Sequence, residues 1–369
     1  MKDRPIYFEG LNTLRFFAAF AIIVFHSSQN FQERFPKSIK MFIHNLPIGV
    51  DLFFLISGFL IVYLLLLEKH SVKGIKLNKF YMRRILRIFP LYFLIVLIAF
   101  LRHHNSQADV DFSQFVFFAG NFWLIKINNW TMSELHPLWS LCIEEHFYLV
   151  IPVVLALIPI NKVKILFIGI LILSLAYRLY VSLYLDFNWM NIYCHSLSRC
   201  DLIAIGGLLA YYHFKYKIII NIPFVWVLSC LIYLSLLMMV VDYNDYTTLN
   251  YALFKKYLFV GPLIFLFVGI ILNLNKSRWF KVIKSNSLLN YFGKISFGLY
   301  MFHSLVVELV NTISYVNQNW IIKILTVTIF TIILASISYE LFEKQFLKLN
   351  NKWKLERKEV VKKSLVNPI

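Results

Sequence analysis

Apolar runs recur along this chain, parted by short polar clusters. They fall near 11–28, 46–67, 80–101, 138–158, 163–183, 197–213, 218–241, 255–273, 293–314 and 320–344. At 1.5 Å of rise per residue, about twenty residues cross a hydrocarbon core of roughly 30 Å. The pattern predicts an all-α integral membrane protein with about ten transmembrane helices. A further apolar, aromatic piece from Asp111 to Leu124 is too short for a comfortable span, so a re-entrant or interfacial segment is expected near 112–127.

Charge orients the spans. Lys69, Lys73, Lys76, Lys79, Arg83, Arg84 and Arg87 crowd the link between the second and third runs. Lys162 and Lys164 follow the fourth, Lys215 and Lys217 the sixth, and Lys276, Arg278, Lys281 and Lys284 the eighth. Lys344, Lys348, Lys352, Lys354, Arg357, Lys358, Lys362 and Lys363 fill the tail. In a ten-span count all of them lie on one side, which predicts that both termini are cytoplasmic. An eleventh span at 112–127 would scatter them over both faces. No Gly/Ser-rich linker or short-period repeat divides the chain, so residues 1–345 read as one transmembrane domain and 346–369 as a basic cytoplasmic tail on the membrane surface.

Composition agrees. Apolar residues make up 59% of the chain and charged residues 15%, where a soluble domain carries nearer a quarter charged. The net charge of +18 does not point to nucleic acid, because the basic residues occur as clusters between apolar runs. Cys142, Cys194, Cys200 and Cys230 show no CxxC spacing and imply no disulfide framework. Arg15 interrupts the first apolar run, so a cleavable signal is not expected there.

The chemistry lies in polar residues inside apolar runs, where each is costly and faces the bundle interior or a water-filled path. Arg15 and His26 stand eleven positions apart on the first run, or about 16 Å along a helix. This suits a charge anchor at one end of a route and a titratable group toward the other. Gly49, Ser57 and Gly58 allow close helix approach on the second run, with Asp51 near its outer end. Arg84 and Arg87 share a helix face before Pro90, a paired guanidinium surface that fits phosphate. Trp139, Ser140, Glu144 and Glu145 open the fourth span, where two carboxylates demand partners. A metal held by His136, Glu144 and His146 is not expected, since no HExxH spacing exists and no other ligand set stands out. Arg199 and Asp201 are two residues apart, point to different faces, and so need partners on other spans. Tyr300 and His303 are i, i+3 neighbours.

Taken in order, these blocks resemble acyltransferase family 3, integral membrane proteins that move acyl groups onto extracytoplasmic carbohydrates and other acceptors. The matches are Arg15-x10-His26, Gly49-Val50-Asp51-Leu52-Phe53-Phe54 with Ser57-Gly58-Phe59, and Arg84-x-x-Arg87-x-x-Pro90. Trp139-Ser140-Leu141 with Glu144, Phe147 and Tyr148 matches a further block, and Arg199/Asp201 and Tyr300/His303 match later ones. The resemblance covers roughly residues 6–346. The last block departs from the family's Glu-x-Pro, reading Glu343-Lys344-Gln345, and Ser304-Leu305 stands where a Pro often follows the late His.

The resemblance implies an O-acyltransferase of the bacterial inner membrane. It would take an acyl group, commonly acetyl, from cytoplasmic acyl-CoA to a hydroxyl of a cell-surface or exported glycan. Acyl-CoA is then a donor substrate, with no permanently bound cofactor. The expected roles are His26 and Glu144 in catalysis and Arg15, Arg84 and Arg87 on the donor nucleotide. Asp51, Ser57, Trp139, Ser140, Glu145, Arg199, Asp201, Tyr300 and His303 would line the path or support it. Glu144 is the expected partner of the His26 imidazole. Some longer members carry an appended hydrolase-like domain, which these 369 residues are not expected to hold. The competing reading is a glycan or lipid transporter that uses the same buried charges as a substrate path.

Overall fold

The structure, a computed structural model, describes residues 10–72, 74–103, 110–184, 188–216, 224–242, 256–272 and 286–349. Among them there is no strand. Helices occupy all ten apolar runs: α1 (Gly10–Ser28), α3 (Ile48–His70), α4 (Leu77–His103), α7 (Leu138–Leu157), α8 (Val163–Tyr184), α10 (Ser196–Tyr216), α11 (Phe224–Val240), α12 (Lys256–Leu272), α14 (Ser296–Asn311) and α15 (Trp320–Ile337). Shorter helices lie between them: α2 (Lys37–His44), α5 (Phe112–Val116), α6 (Gly120–Ile127), α9 (Trp189–Cys194) and α13 (Ser287–Lys294). A π-helical turn, Ser338–Glu343, joins α15 to α16 (Lys344–Leu349).

Among the described residues six helical stretches are long and apolar enough to cross a membrane: Gly10–Arg34, Lys37–His70, Leu77–His103, Ser133–Leu157, Ile160–Tyr184 and Trp320–Leu349. The pair α13–α14, bent by 66°, makes a seventh if taken as one span. Helices α11 and α12 are apolar but shorter. Helix α10 has the length, and Arg199, Asp201 and Lys215 hold its hydropathy down. The chain is a multi-pass membrane protein. Lys73, Lys217, the 276–284 cluster and the tail beyond residue 349 lie outside the described residues.

Local chemistry sets the helix starts. Pro47 and Pro137 precede α3 and α7, where a missing N–H costs nothing. Asn188, Asn286 and Asn319 cap α9, α13 and α15 by accepting from backbone N–H groups of the first turn. The 112–127 segment is two short helices and not one span. Between them Phe118 takes a left-handed φ of 58°, a rare geometry for an aromatic residue. Its ring stacks on Tyr92 at 4.3 Å, and the Tyr92 hydroxyl donates to Phe115 O at 2.7 Å, so α4 holds the break. Asp111 caps α5, and the Ser113 hydroxyl, then Gln114, hold its carboxyl below the usual range.

The axis of the bundle is the α3–α10 pair. A Cβ on Gly58 would lie 2.0 Å from Ile203 O, and one on Gly206 would lie 2.3 Å from Leu55 O. The two backbones therefore touch, as small residues allow. Two buried ion pairs flank the contact. Asp51 Oδ1 accepts from Arg199 at 2.7 Å, tying α3 to α10. Asp201 Oδ2 accepts from Arg178 at 2.8 Å, tying α10 to α8, and Tyr257 of α12 joins that pair. Residues 199 and 201 thus find partners on different helices, as their spacing predicts.

Candidate active site

One end of the bundle holds a cavity of about 480 Å³, lined in part by His26, His136, His303, Trp139, Tyr193 and Tyr300. Helix α1 brings His26 to it near its last turn. The imidazole packs edge-on to Phe25 at 4.9 Å and lies 5.0 Å from the His303 ring, centroid to centroid. It makes no hydrogen bond within the described residues, so its nitrogens are left to the cavity. His303 is held differently. Its Nδ1 lies 2.6 Å from Tyr300 O, a carbonyl that can only accept, so Nδ1 carries the hydrogen. That leaves Nε2 to accept from the Ser304 hydroxyl at 3.1 Å.

Ser140 and Tyr300 form a second fixed unit. The Ser140 hydroxyl donates to Pro137 O at 3.2 Å, which leaves the Tyr300 hydroxyl to donate to Ser140 at 2.8 Å. Trp139 forms part of the cavity wall with Trp130, Trp189 and Tyr193. The Trp139 and Tyr193 rings are 4.8 Å apart, and Trp130 lies 5.9 Å from Tyr193. Behind them the Arg199 guanidinium sits 5.8 Å from the Trp139 ring and 5.3 Å from Tyr193. Asp51, Arg199 and Asp201 are fully buried. Arg199, held by Asp51, backs the aromatic wall, while Asp201 turns to Arg178 and Tyr257.

Glu144 stands elsewhere than expected. It lies five residues along α7 from Trp139, about 7.5 Å further into the bundle. Its Oε2 accepts from the Ser57 hydroxyl at 3.0 Å and from the Tyr148 hydroxyl. Its charged neighbours are Arg15 and Arg84, and among the described residues no hydrogen bond joins it to His26. The α7 helix turns its carboxylate toward the arginines. Glu145 is within reach of the charges of Arg84 and Glu144, and its buried Oε1 has no hydrogen-bond partner among the described residues.

The far end gathers cations. Arg83 is taken up by Glu68 at 2.7 Å. Arg84 turns to the other side of α4, over the Phe80 and Tyr148 rings. Arg87 feels the charges of both Arg15 and Arg84. Its side chain is exposed. No hydrogen bond or ion pair engages it among the described residues. The three arginines singled out in the sequence are thus brought together.

His136, Glu144 and His146 are not. His136 Nε2 bonds Thr131 O at 2.9 Å, and His146 Nδ1 meets Ser196 Oγ at 2.7 Å. A different set, His103, Glu134 and Glu308, has ligand atoms within 4.8 Å of one another. Arg102 bridges its two carboxylates, so a guanidinium already supplies a positive charge there. Sequence reasoning missed Trp130, Trp189 and Tyr193 on the cavity wall. They lie on or beside loops, where an aromatic residue in a membrane protein reads as an interfacial anchor.

Comparison with known proteins gives the family. An acyltransferase-domain profile of family 3 matches residues 8–340. A provisionally named O-acetyltransferase of Staphylococcus aureus strain COL is 28% identical over 364 residues, covering 93% of this chain and 58% of the relative. O-acetyltransferase OatA of Staphylococcus aureus strain NCTC 8325 is 26% identical over 364 residues, covering 92% and 57%. The chain therefore spans somewhat over half the length of these curated relatives. No solved structure matches it.

Proposed function

The chain belongs to acyltransferase family 3, and from that premise we propose that it is a membrane O-acyltransferase that moves an acyl group from cytoplasmic acyl-CoA to a glycan hydroxyl. One observation carries the reading. Helix α1 presents His26, free of hydrogen bonds among the described residues, to an aromatic cavity at one end and Arg15, near Arg84 and Arg87, at the other. A cluster of guanidinium groups suits the phosphates of a CoA nucleotide. A cavity walled by indole and phenol rings suits the C–H faces of a sugar. The relatives' names supply the acetyl group and the oxygen acceptor.

In this reading ten helices cross the bacterial inner membrane, with both termini and the arginine end cytoplasmic. The nucleotide docks on Arg84, Arg87 and Arg15, and the pantetheine arm runs past Glu144 and Tyr148 toward His26. A neutral His26 nitrogen takes the acceptor hydroxyl's proton as the oxygen attacks the thioester carbonyl. The C–S bond breaks, and the CoA thiolate leaves and is protonated. Glu144 is assigned to the path and not to the imidazole, because its carboxylate is turned to Ser57 and Tyr148. His303 packs against His26 and fixes its ring.

The test is transfer of labelled acetyl from acetyl-CoA to envelope glycan by the purified protein in lipid discs. His26→Ala and His26→Gln should each lose at least about a hundredfold in rate at unchanged thermal stability, since an amide cannot act as a base. Wild-type activity in a well-folded His26→Ala protein would overturn the assignment. A transporter would leave acetyl-CoA intact.

A further inference from the structure

The π-helical turn Ser338–Glu343 is the one described stretch where the last long helix leaves α-geometry. Such turns carry one extra residue and often mark functional sites. In an α-helix the neighbour of Ser338 one turn on would be Phe342, and Glu343 would point well away from it. Here the Ser338 hydroxyl donates to Glu343 Oε1 at 3.2 Å, a contact across five residues. The extra residue thus rotates Glu343 off the lipid side. The carboxylate is buried and faces Gly298 of α14, where an added Cβ would meet Oε1 at 3.4 Å and the Ala335 side chain at 3.1 Å. The turn packs against α4, the helix that carries Arg87. Arg87 feels the charge of Glu343, yet no hydrogen bond or ion pair joins the two.

We infer that Glu343, turned inward by the π-helical turn, weakens the hold of the arginine cluster on the donor's phosphates so that spent CoA can leave. The inference rests on the donor-site reading proposed above. A carboxylate paired to Arg87 would block phosphate outright. One tethered nearby by Ser338 only lowers the local positive potential. Three cations in electrostatic reach of one another, offset by Glu144 at Arg15 and Arg84, would otherwise hold a multiply charged nucleotide tightly, and product as tightly as substrate. Glu343 touches no reacting atom and acts through Arg87.

The experiment is CoA titration of the full chain in lipid discs, with donor KM and kcat measured on the same preparations. Glu343→Gln keeps shape and removes the charge. CoA should bind about three- to tenfold tighter, as expected for one charge acting at several ångströms in a medium of intermediate dielectric. Donor KM should fall, and kcat should fall with it as release slows. Ser338→Ala frees the carboxylate to reach Arg87, so CoA should bind more weakly, and this effect should vanish in the Ser338→Ala/Glu343→Gln double variant. If Glu343→Gln fails to fold, Ser338→Ala decides alone: weaker binding supports the inference, and unchanged or tighter binding overturns it. CoA affinity that is unchanged or weaker in folded Glu343→Gln overturns the inference and leaves the donor site standing. Absence of CoA binding to the wild type overturns the donor site, and the inference with it.

Discussion

Arg87 has two other guanidinium groups in electrostatic reach and, more weakly felt, the Glu343 carboxylate, a net surplus of positive charge. Such an arrangement is costly unless an anion arrives, and a planar fork receives phosphate better than a point charge. Arg87→Lys should therefore weaken CoA binding several-fold. Arg87→Ala should weaken it by roughly tenfold or more, since a charge-assisted hydrogen bond is worth about 1.5–3 kcal/mol. Isothermal titration at low and high salt checks both, and equal affinities across the three proteins would return this residue to the role of a topology signal. What was legible at this scale followed from spacing. The i, i+3 relation placed Arg84 and Arg87 together, and the i, i+2 relation of Arg199 and Asp201 required two separate partners, which Asp51 and Arg178 supply. The partner of Glu144 was not legible. Which way a carboxylate turns depends on the rotation of α7 against α3, and the chemistry of carboxylates and imidazoles contains no information about that rotation.

Among elements, the α3–α10 contact is the least tolerant of change. Gly58→Ala would drive a methyl to 2.0 Å from Ile203 O, backbone that cannot yield. The expected cost is at least about 1–3 kcal/mol, as for overpacked cores, seen as a drop in unfolding temperature in detergent. Gly169 of α8 is the control. Nothing lies within 4 Å of an added Cβ there, so Gly169→Ala should leave the protein as stable or gain about 0.5–1 kcal/mol from helix propensity. The small residues at 49, 57 and 58 announced a close approach, but the partner helix did not follow from them. The ten apolar runs forecast their helices well, because length and hydropathy act locally. The π-helical turn was invisible for the opposite reason. Nothing in Ser338-Tyr339-Glu340-Leu341-Phe342-Glu343 departs from an ordinary helix end, and what distinguishes the turn, its contact with α4 and the Glu343 carboxylate beside Gly298 of α14, is tertiary.

At the scale of the whole molecule, which helices cross, and in which direction, is read by labelling. Single cysteines at Lys76 and Lys37, in a background without Cys142, Cys194, Cys200 and Cys230, should react with impermeant reagent from opposite sides of the membrane, Lys76 from the cytoplasm. Labelling of both from one side would refute the ten-span arrangement. If they label as expected, a consequence follows from where Glu144, Ser57 and Tyr148 stand. An exposed Arg87 marks one end of the bundle and the histidine cavity the other, and these three side chains lie in the layer between. If water enters from both ends it carries each bulk potential inward, and most of the transmembrane voltage would drop across that layer. Moving one elementary charge through 100 mV is worth about 2.3 kcal/mol. The protein would then hold these side chains at the thinnest dielectric in its membrane, and any charge shifted there in the proposed reaction would couple it to the energised state of the cell.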